Sequence, residues 1–131
     1  MSEKFELVKS YLLDLDLKIT DENPAEELVI VEDEENGIKN LVIDCEEPIV
    51  ILEQLIMKVP PAAGEFFRRL LQINRTLVHG AFVLDEDGRY VFFRDTLQLE
   101  NLDPNELEGS IGALSLALAE NGEELLSYAH S

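Results

Sequence analysis

The stretch that decides the fold is LVIVEDEENGIKNLVIDCEEPIVILEQLIMKV, residues 28–59. Leu28-Val29-Ile30-Val31 is a β-branched run that favours extended backbone. Glu34-Glu35-Asn36-Gly37 then turns the chain. Asn-Gly between apolar runs is a strong hairpin signal, because both residues tolerate the positive φ of a tight turn. A second strand follows from Ile38 to Cys45. Glu46-Glu47-Pro48 makes another turn, and a third strand runs from Ile49 to about Val59. On it Ile49, Ile51, Leu55, Met57 and Val59 point one way, and Val50, Leu52 and Ile56 the other. Both faces are apolar, which predicts cover on both sides. Pro60-Pro61 ends this strand, since proline cannot donate to a sheet ladder.

Downstream, Pro61 to about Leu77 reads as a helix, with Pro61 at a first helical position that has no use for its missing amide. Glu65, Arg68, Gln72 and Arg75 form a polar stripe. Phe66, Phe67, Leu70, Leu71 and Ile73 fill an arc wider than one core-facing stripe requires. Strands follow at His79 to Leu84 and Arg89 to Arg94, joined by Asp85-Glu86-Asp87-Gly88. The last helix starts at Asp103 as N-cap, with Pro104 at N1 and Glu106 at N3, an acidic capping box flanked by the staple pair Leu102 and Leu107. Leu107, Ile111, Leu114 and Leu118 set its apolar face. Asn121-Gly122 predicts a break, with Leu125, Leu126 and Ala129 in a short terminal piece.

Upstream, Ser2 can cap a helix whose Phe5, Val8, Leu12 and Leu15 share one face. Asn23-Pro24 breaks the chain before the first strand. The expected order is α-β-β-β-α-β-β-α, an α+β fold with a twisted, largely antiparallel sheet packed with helices. No linker divides residues 1–131, so one domain is expected.

The 131 residues carry 28 acidic and 10 basic side chains, a net charge of −18. Residues 1–57 hold a net −12, residues 58–94 a net +2, and the remainder a net −8 with no Lys or Arg. A pI near 4.2 argues against nucleic acid and anionic membranes, which need a cationic face to displace counterions. No apolar run reaches membrane-spanning length and no secretory h-region follows Met1, so a cytoplasmic protein is expected. A hydrophobic share of 46% is enough for a folded core.

Catalytic and metal-binding patterns are absent. Asp85-x-Asp87-Gly88 lacks the later oxygen ligands of a calcium loop and reads as a hairpin turn. His79 and His130 have no partner at ligand spacing. Cys45, the single cysteine, rules out a disulfide framework and reads as a buried, inert thiol. Ser110 lies between glycines but not in a strand-to-helix nucleophile elbow. Glu32-Asp33-Glu34-Glu35 reads as a solvated turn, and Arg68, Arg69 and Arg75 as offsets to an acidic chain. No enzyme activity, cofactor or metal is expected. What remains is a surplus of apolar residues on the first two helices and the strands. It predicts surfaces covered by a second copy and by a partner chain.

Three stretches carry a family resemblance. Leu70-Leu71-x-x-Asn74, then Gly80-Ala81-Phe82-Val83-Leu84-Asp85-x-x-Gly88, then Leu97 to Leu102 leading into Leu107, resemble the type III secretion chaperones of the Tir chaperone (CesT) type and the related YbjN-like proteins. The resemblance implies a homodimer that binds extended segments of a partner protein and does no chemistry. It places the dimer contact at Phe67, Leu71, Leu77, Val78 and Ala81. It places partner contacts at Phe5, Val8 and Leu12 on the first helix and Val29 and Val31 on the first strand. A partner would add to an edge strand and anchor in apolar pockets. The alternative is a YbjN-like regulator whose groove takes a signalling or stress-response partner.

Overall fold

Alternation along the strands gathers one apolar face of a six-stranded sheet beneath three helices. The structure is a computed structural model describing residues 2–129, so His130 lies outside the described residues. In chain order the elements are α1 (Glu3–Asp14), β1 (Lys18–Asn23), β2 (Leu28–Asp33), β3 (Ile38–Glu46), β4 (Ile49–Lys58), α2 (Gly64–Asn74), β5 (Ala81–Leu84), β6 (Tyr90–Gln98) and α3 (Pro104–Ala129). The sheet order is β1-β2-β3-β4-β6-β5, with every pair antiparallel.

The expected α+β class and antiparallel sheet are present, with one strand more than expected. β1 reads Lys-Ile-Thr-Asp-Glu-Asn and is almost wholly exposed. It has no apolar alternation of its own and is extended because it pairs with β2, from Lys18 opposite Glu32 to Asn23 opposite Leu28.

Capping chemistry explains the helix starts. The Ser2 hydroxyl accepts from the Phe5 amide at 3.1 Å, and Ser2 in turn donates to the Glu27 carboxylate through its amide and hydroxyl at 3.1 and 2.7 Å. Asp103 accepts from the Asn105 amide at 2.7 Å, and its staple partners Leu102 and Leu107 are both buried. α2 starts later than Pro61: Ala63 occupies its N-cap without a side-chain bond. α3 runs through Asn121-Gly122 without a break. Asn121 Nδ2 donates to the Ala117 carbonyl at 3.0 Å, and tertiary contacts secure the last turns. Phe66 of α2 meets the Tyr128 ring edge-on at 5.3 Å, and Arg69 forks onto Glu124 through Nε and an Nη, the latter at 3.0 Å. These contacts outweigh the ~1 kcal/mol that an interior glycine costs.

Phe5, Val8 and Leu12 of α1, Phe66, Leu70 and Ile73 of α2, and Leu107, Ile111 and Leu114 of α3 close over the inner sheet face. That face presents Val29, Val31, Leu41, Ile43, Val50, Leu52, Val91 and Phe93. Two buried polar side chains are satisfied here, one between helix and sheet and one within the sheet. Buried Ser110 donates to Asp95 Oδ2 at 2.7 Å, tying α3 to β6. Buried Gln54 donates to the Gly37 carbonyl at 3.1 Å and accepts from the Lys39 amide at 3.0 Å. Each large apolar side chain sealed here contributes about 1.5–3 kcal/mol.

The expected cover on both faces of the third strand is not what the chain builds. Ile49, Ile51 and Leu55 of β4 line the outer sheet face with Leu28, Ile30, Val42, Val83 and Phe92, and none of these is buried. All three helices lie on the opposite face.

Candidate dimer and partner surfaces

The end of α2 is fixed by a side chain acting as a strand edge. Asn74 Nδ2 donates to the Phe82 carbonyl at 3.1 Å, and the Phe82 amide donates to Asn74 Oδ1 at 2.8 Å. Both backbone groups on the free edge of β5 are thereby satisfied at Phe82. The turn before β5 needs Gly80, whose φ is +74°; a Cβ there would overlap the Phe93 ring and sit 3.1 Å from the Arg94 carbonyl oxygen. Phe93 stacks edge-on against Phe82, their centroids 5.8 Å apart.

This arrangement fixes the segment that carries the expected dimer residues. Leu71 on α2 is 71% exposed and Val78 in the following loop 85% exposed. Phe67, Leu77 and Ala81 are partly exposed. Phe67 and Leu71 share one helix face at four-residue spacing. The five residues thus lie along one continuous segment from α2 to β5, with the two most exposed large apolar side chains of the described residues among them.

The expected partner-binding residues lie elsewhere. Phe5, Val8, Leu12, Val29 and Val31 are sealed inside the core, each 1% exposed or less. The apolar spacing of Phe5, Val8 and Leu12 is the signal of α1 packing on its own sheet, where Val29 and Val31 meet it. Nor is β2 an edge strand, because β1 covers it. The open edge is β1, whose outer backbone groups face away from β2. Sequence reasoning missed it because Ile19 is its only apolar residue.

Sequence reasoning also missed a groove of about 420 Å³ between the end of α1, the β2–β3 turn and α3. It is lined by Leu15, Leu17, Ile38, Ile111 and Leu116, by the small residues Gly112, Ser115 and Ala119, and by Asp33 and Glu108. Leu116 is 57% exposed. A second groove of about 280 Å³ lies on the other flank of the Gly112–Leu116 ridge, against Leu77, Val78 and His79.

Among the described residues the titratable groups form no catalytic constellation. Burial first, then Glu27, Asp44 and Glu47, push the Cys45 thiol up to about 12, so it stays protonated and unreactive. Burial, followed by Glu46 and Glu26, lifts Asp44 to about 6. Its Oδ1 is buried without a hydrogen-bond partner, on the outer sheet face between Leu28 and Ile51. The Asp85 carboxylate accepts from the Arg89 and Tyr90 amides at 2.8 and 3.2 Å, which makes it a turn-forming group. Ser110 is committed to Asp95. Among the described residues no cluster of three His, Cys, Asp or Glu could hold a metal, and no helix is long and apolar enough to cross a membrane.

The CesT_Tir_1 family model matches residues 1–131. The chain belongs to the CesT_Tir_1 family. No curated protein sequence matches it. Among solved structures, YbjN from E. coli superposes with a TM-score of 0.72 at 15% identity, covering 92% of each chain. A chain of the ExoU–SpcU complex from the type III secretion system of Pseudomonas aeruginosa gives 0.61 at 17% identity, over 91% of this chain and 94% of that one. A chain of the HopA1–SchA chaperone–effector complex gives 0.62 at 11% identity, over 91% and 96%. At these identities the likeness is one of fold, and it matches the resemblance carried by Leu70-Leu71-x-x-Asn74 and the strand that follows.

Proposed function

We propose that this CesT_Tir_1 member is a homodimeric, non-enzymatic protein-binding module of one domain, acting in the cytoplasm as a chaperone for a partner polypeptide. The observation that carries the reading is the apolar run Phe67–Leu71–Leu77–Val78–Ala81. Leu71 and Val78 expose most of their surface in one copy, and large exposed apolar patches mark association surfaces. Asn74 closes the β5 edge at Phe82, which favours packing of α2 against α2 over a sheet continued from copy to copy. The open β1 edge is left for a partner strand. A net charge of −18 keeps a dimer with such surfaces soluble.

Light scattering coupled to size-exclusion chromatography tests the dimer: twice the mass of the chain is expected, and a monomer at micromolar concentration would refute it. Affinity capture from the native cell tests the chaperone role, with one abundant polypeptide expected in stoichiometric yield.

The superposition on YbjN, whose role in transcription regulation is itself a proposal, favours a second reading. In it the same surfaces hold a regulatory or stress-response protein. The acidic surface argues for contact with a protein regulator over DNA. Recovery of a regulator in place of an exported polypeptide would select this reading.

A further inference from the structure

We infer that the groove between α1, the β2–β3 turn and α3 holds a cationic amphipathic helix of a partner protein. This inference rests on the protein-binding reading above and specifies its partner. The groove follows α3 from Glu108 to Ala119, a span of about 17 Å, or three helical turns. Along it Gly112, Ser115 and Ala119 recur at spacings of three and four and so share one helix face. They are small, and a Cβ at Gly112 would meet nothing within 4 Å, so a second backbone can approach closely there. Leu15, partly exposed, and Leu116, 57% exposed, supply apolar surface for anchors at i, i+3 or i+4, and i+7 of an incoming helix, backed by the buried Leu17, Ile38 and Ile111.

The charge of the rim selects the occupant. Asp33 and Glu108 stand at the groove itself, with Asp14 and Asp16 beside Leu15 and Leu17, and Glu34 and Glu35 in the adjoining turn. None of these six carboxylates forms an ion pair with a Lys, Arg or His among the described residues. Lys18, after Leu17, and Lys39, after Ile38, are the two cations next to these segments in sequence, against six carboxylates, and α3 has none. A helix with Lys or Arg flanking its apolar stripe would offset this field, whereas an anionic one would meet repulsion.

The test uses the full chain and two labelled synthetic helices of about 16 residues with identical apolar stripes, one flanked by Lys and one by Glu. Fluorescence anisotropy should show saturable binding of the Lys helix, with the Glu helix at least about tenfold weaker. Asp33→Asn with Glu108→Gln should weaken the Lys helix by about threefold to tenfold. Glu86→Gln with Asp87→Asn, an equal charge change in the β5–β6 turn, should leave it unchanged. Filling the groove with Gly112→Phe should cost at least about tenfold; Ala119→Trp provides the same block at an exposed position should the first variant misfold.

Equal binding of both helices, equal effects of the two charge-neutralising pairs, or binding indifferent to both groove-filling variants would overturn the inference. So would the absence of saturable binding of the Lys helix. The protein-binding reading is scored separately, by light scattering and by the captured polypeptide. A dimer that retains its captured partner when the groove is filled leaves that reading standing and removes this one.

Discussion

The Asn74 side chain holds Phe82 by both of its backbone hydrogen-bonding groups, at 2.8 and 3.1 Å. An amide side chain can do this because it offers a donor and an acceptor side by side, as a neighbouring strand would. The bond pair closes the free edge of β5 and fixes where the chain leaves α2. Asn74→Ala should therefore destabilise the fold by about 1–3 kcal/mol and leave Phe82 open to pairing with other chains. Asn74→Asp keeps the acceptor but loses the donor at neutral pH, placing a carboxylate against the Phe82 carbonyl. It should be no better than alanine. Urea denaturation measures the first effect, and light scattering at rising concentration the second; wild-type values in both would show that the clamp is incidental.

That clamp also shows what the sequence disclosed and what it hid. Leu70-Leu71-x-x-Asn74 was legible as a family pattern, but not the reason for its asparagine, because the partner groups are backbone atoms eight residues on. The hairpins around Asn36-Gly37 and Asp85-Gly88 and the capped start of α3 were legible because turn and cap chemistry is local. β1 was not, because a polar edge strand owes its shape to its neighbour. The continuity of α3 through Asn121-Gly122 was hidden for the same kind of reason: Phe66 and Arg69, more than fifty residues earlier, hold its end. The family resemblance points to Phe5, Val8, Leu12, Val29 and Val31 as partner contacts, but the chain buries them against its own sheet and helices, and periodicity identifies a buried face without saying what buries it.

Gly80 combines a left-handed φ of +74° with a lack of room for a side chain against Phe93 and the Arg94 carbonyl. Alanine there meets both penalties, an unfavourable backbone and an overlap with a buried ring. Gly80→Ala should cost about 2–4 kcal/mol. Gly88, also left-handed at +69° but with nothing within 4 Å of a Cβ, isolates the backbone penalty; Gly88→Ala should cost about 1–2 kcal/mol. Equal denaturation midpoints for the two variants would mean that the Phe93 ring yields without cost.

Asp44 ties stability to pH. Its carboxyl is raised from the ordinary 3.8 to about 6 by burial and by Glu46 and Glu26, so between those values the folded chain holds a proton that the unfolded chain has released. Its contribution is fully present below about pH 4 and is lost as pH rises through about 6. Asp44→Asn removes the charge but keeps the shape. It should stabilise the protein at pH 7.5, by less than about 1 kcal/mol because solvent still screens the site, and this gain should vanish by pH 4. Denaturation midpoints for both proteins across that range give the comparison, and a gain independent of pH would assign the effect to something other than this proton.

Leu71 and Val78 separate the dimer from the fold. Both are largely exposed in one copy, so Leu71→Glu and Val78→Glu should change the stability of the monomer by no more than about 0.5 kcal/mol. Phe67 is partly covered by its own domain, with its ring 6.0 Å from that of Phe66, and Phe67→Glu should lower stability as well. In the proposed dimer Leu71 and Val78 are enclosed by the second copy, where a carboxylate without a partner is costly. Each exposed-site variant should weaken dimerisation by at least about tenfold, and the pair should be monomeric by light scattering while keeping the wild-type circular dichroism spectrum. A double variant that remains dimeric would move the interface away from α2, to the outer sheet face where Ile49, Ile51, Leu55 and Phe92 also meet solvent.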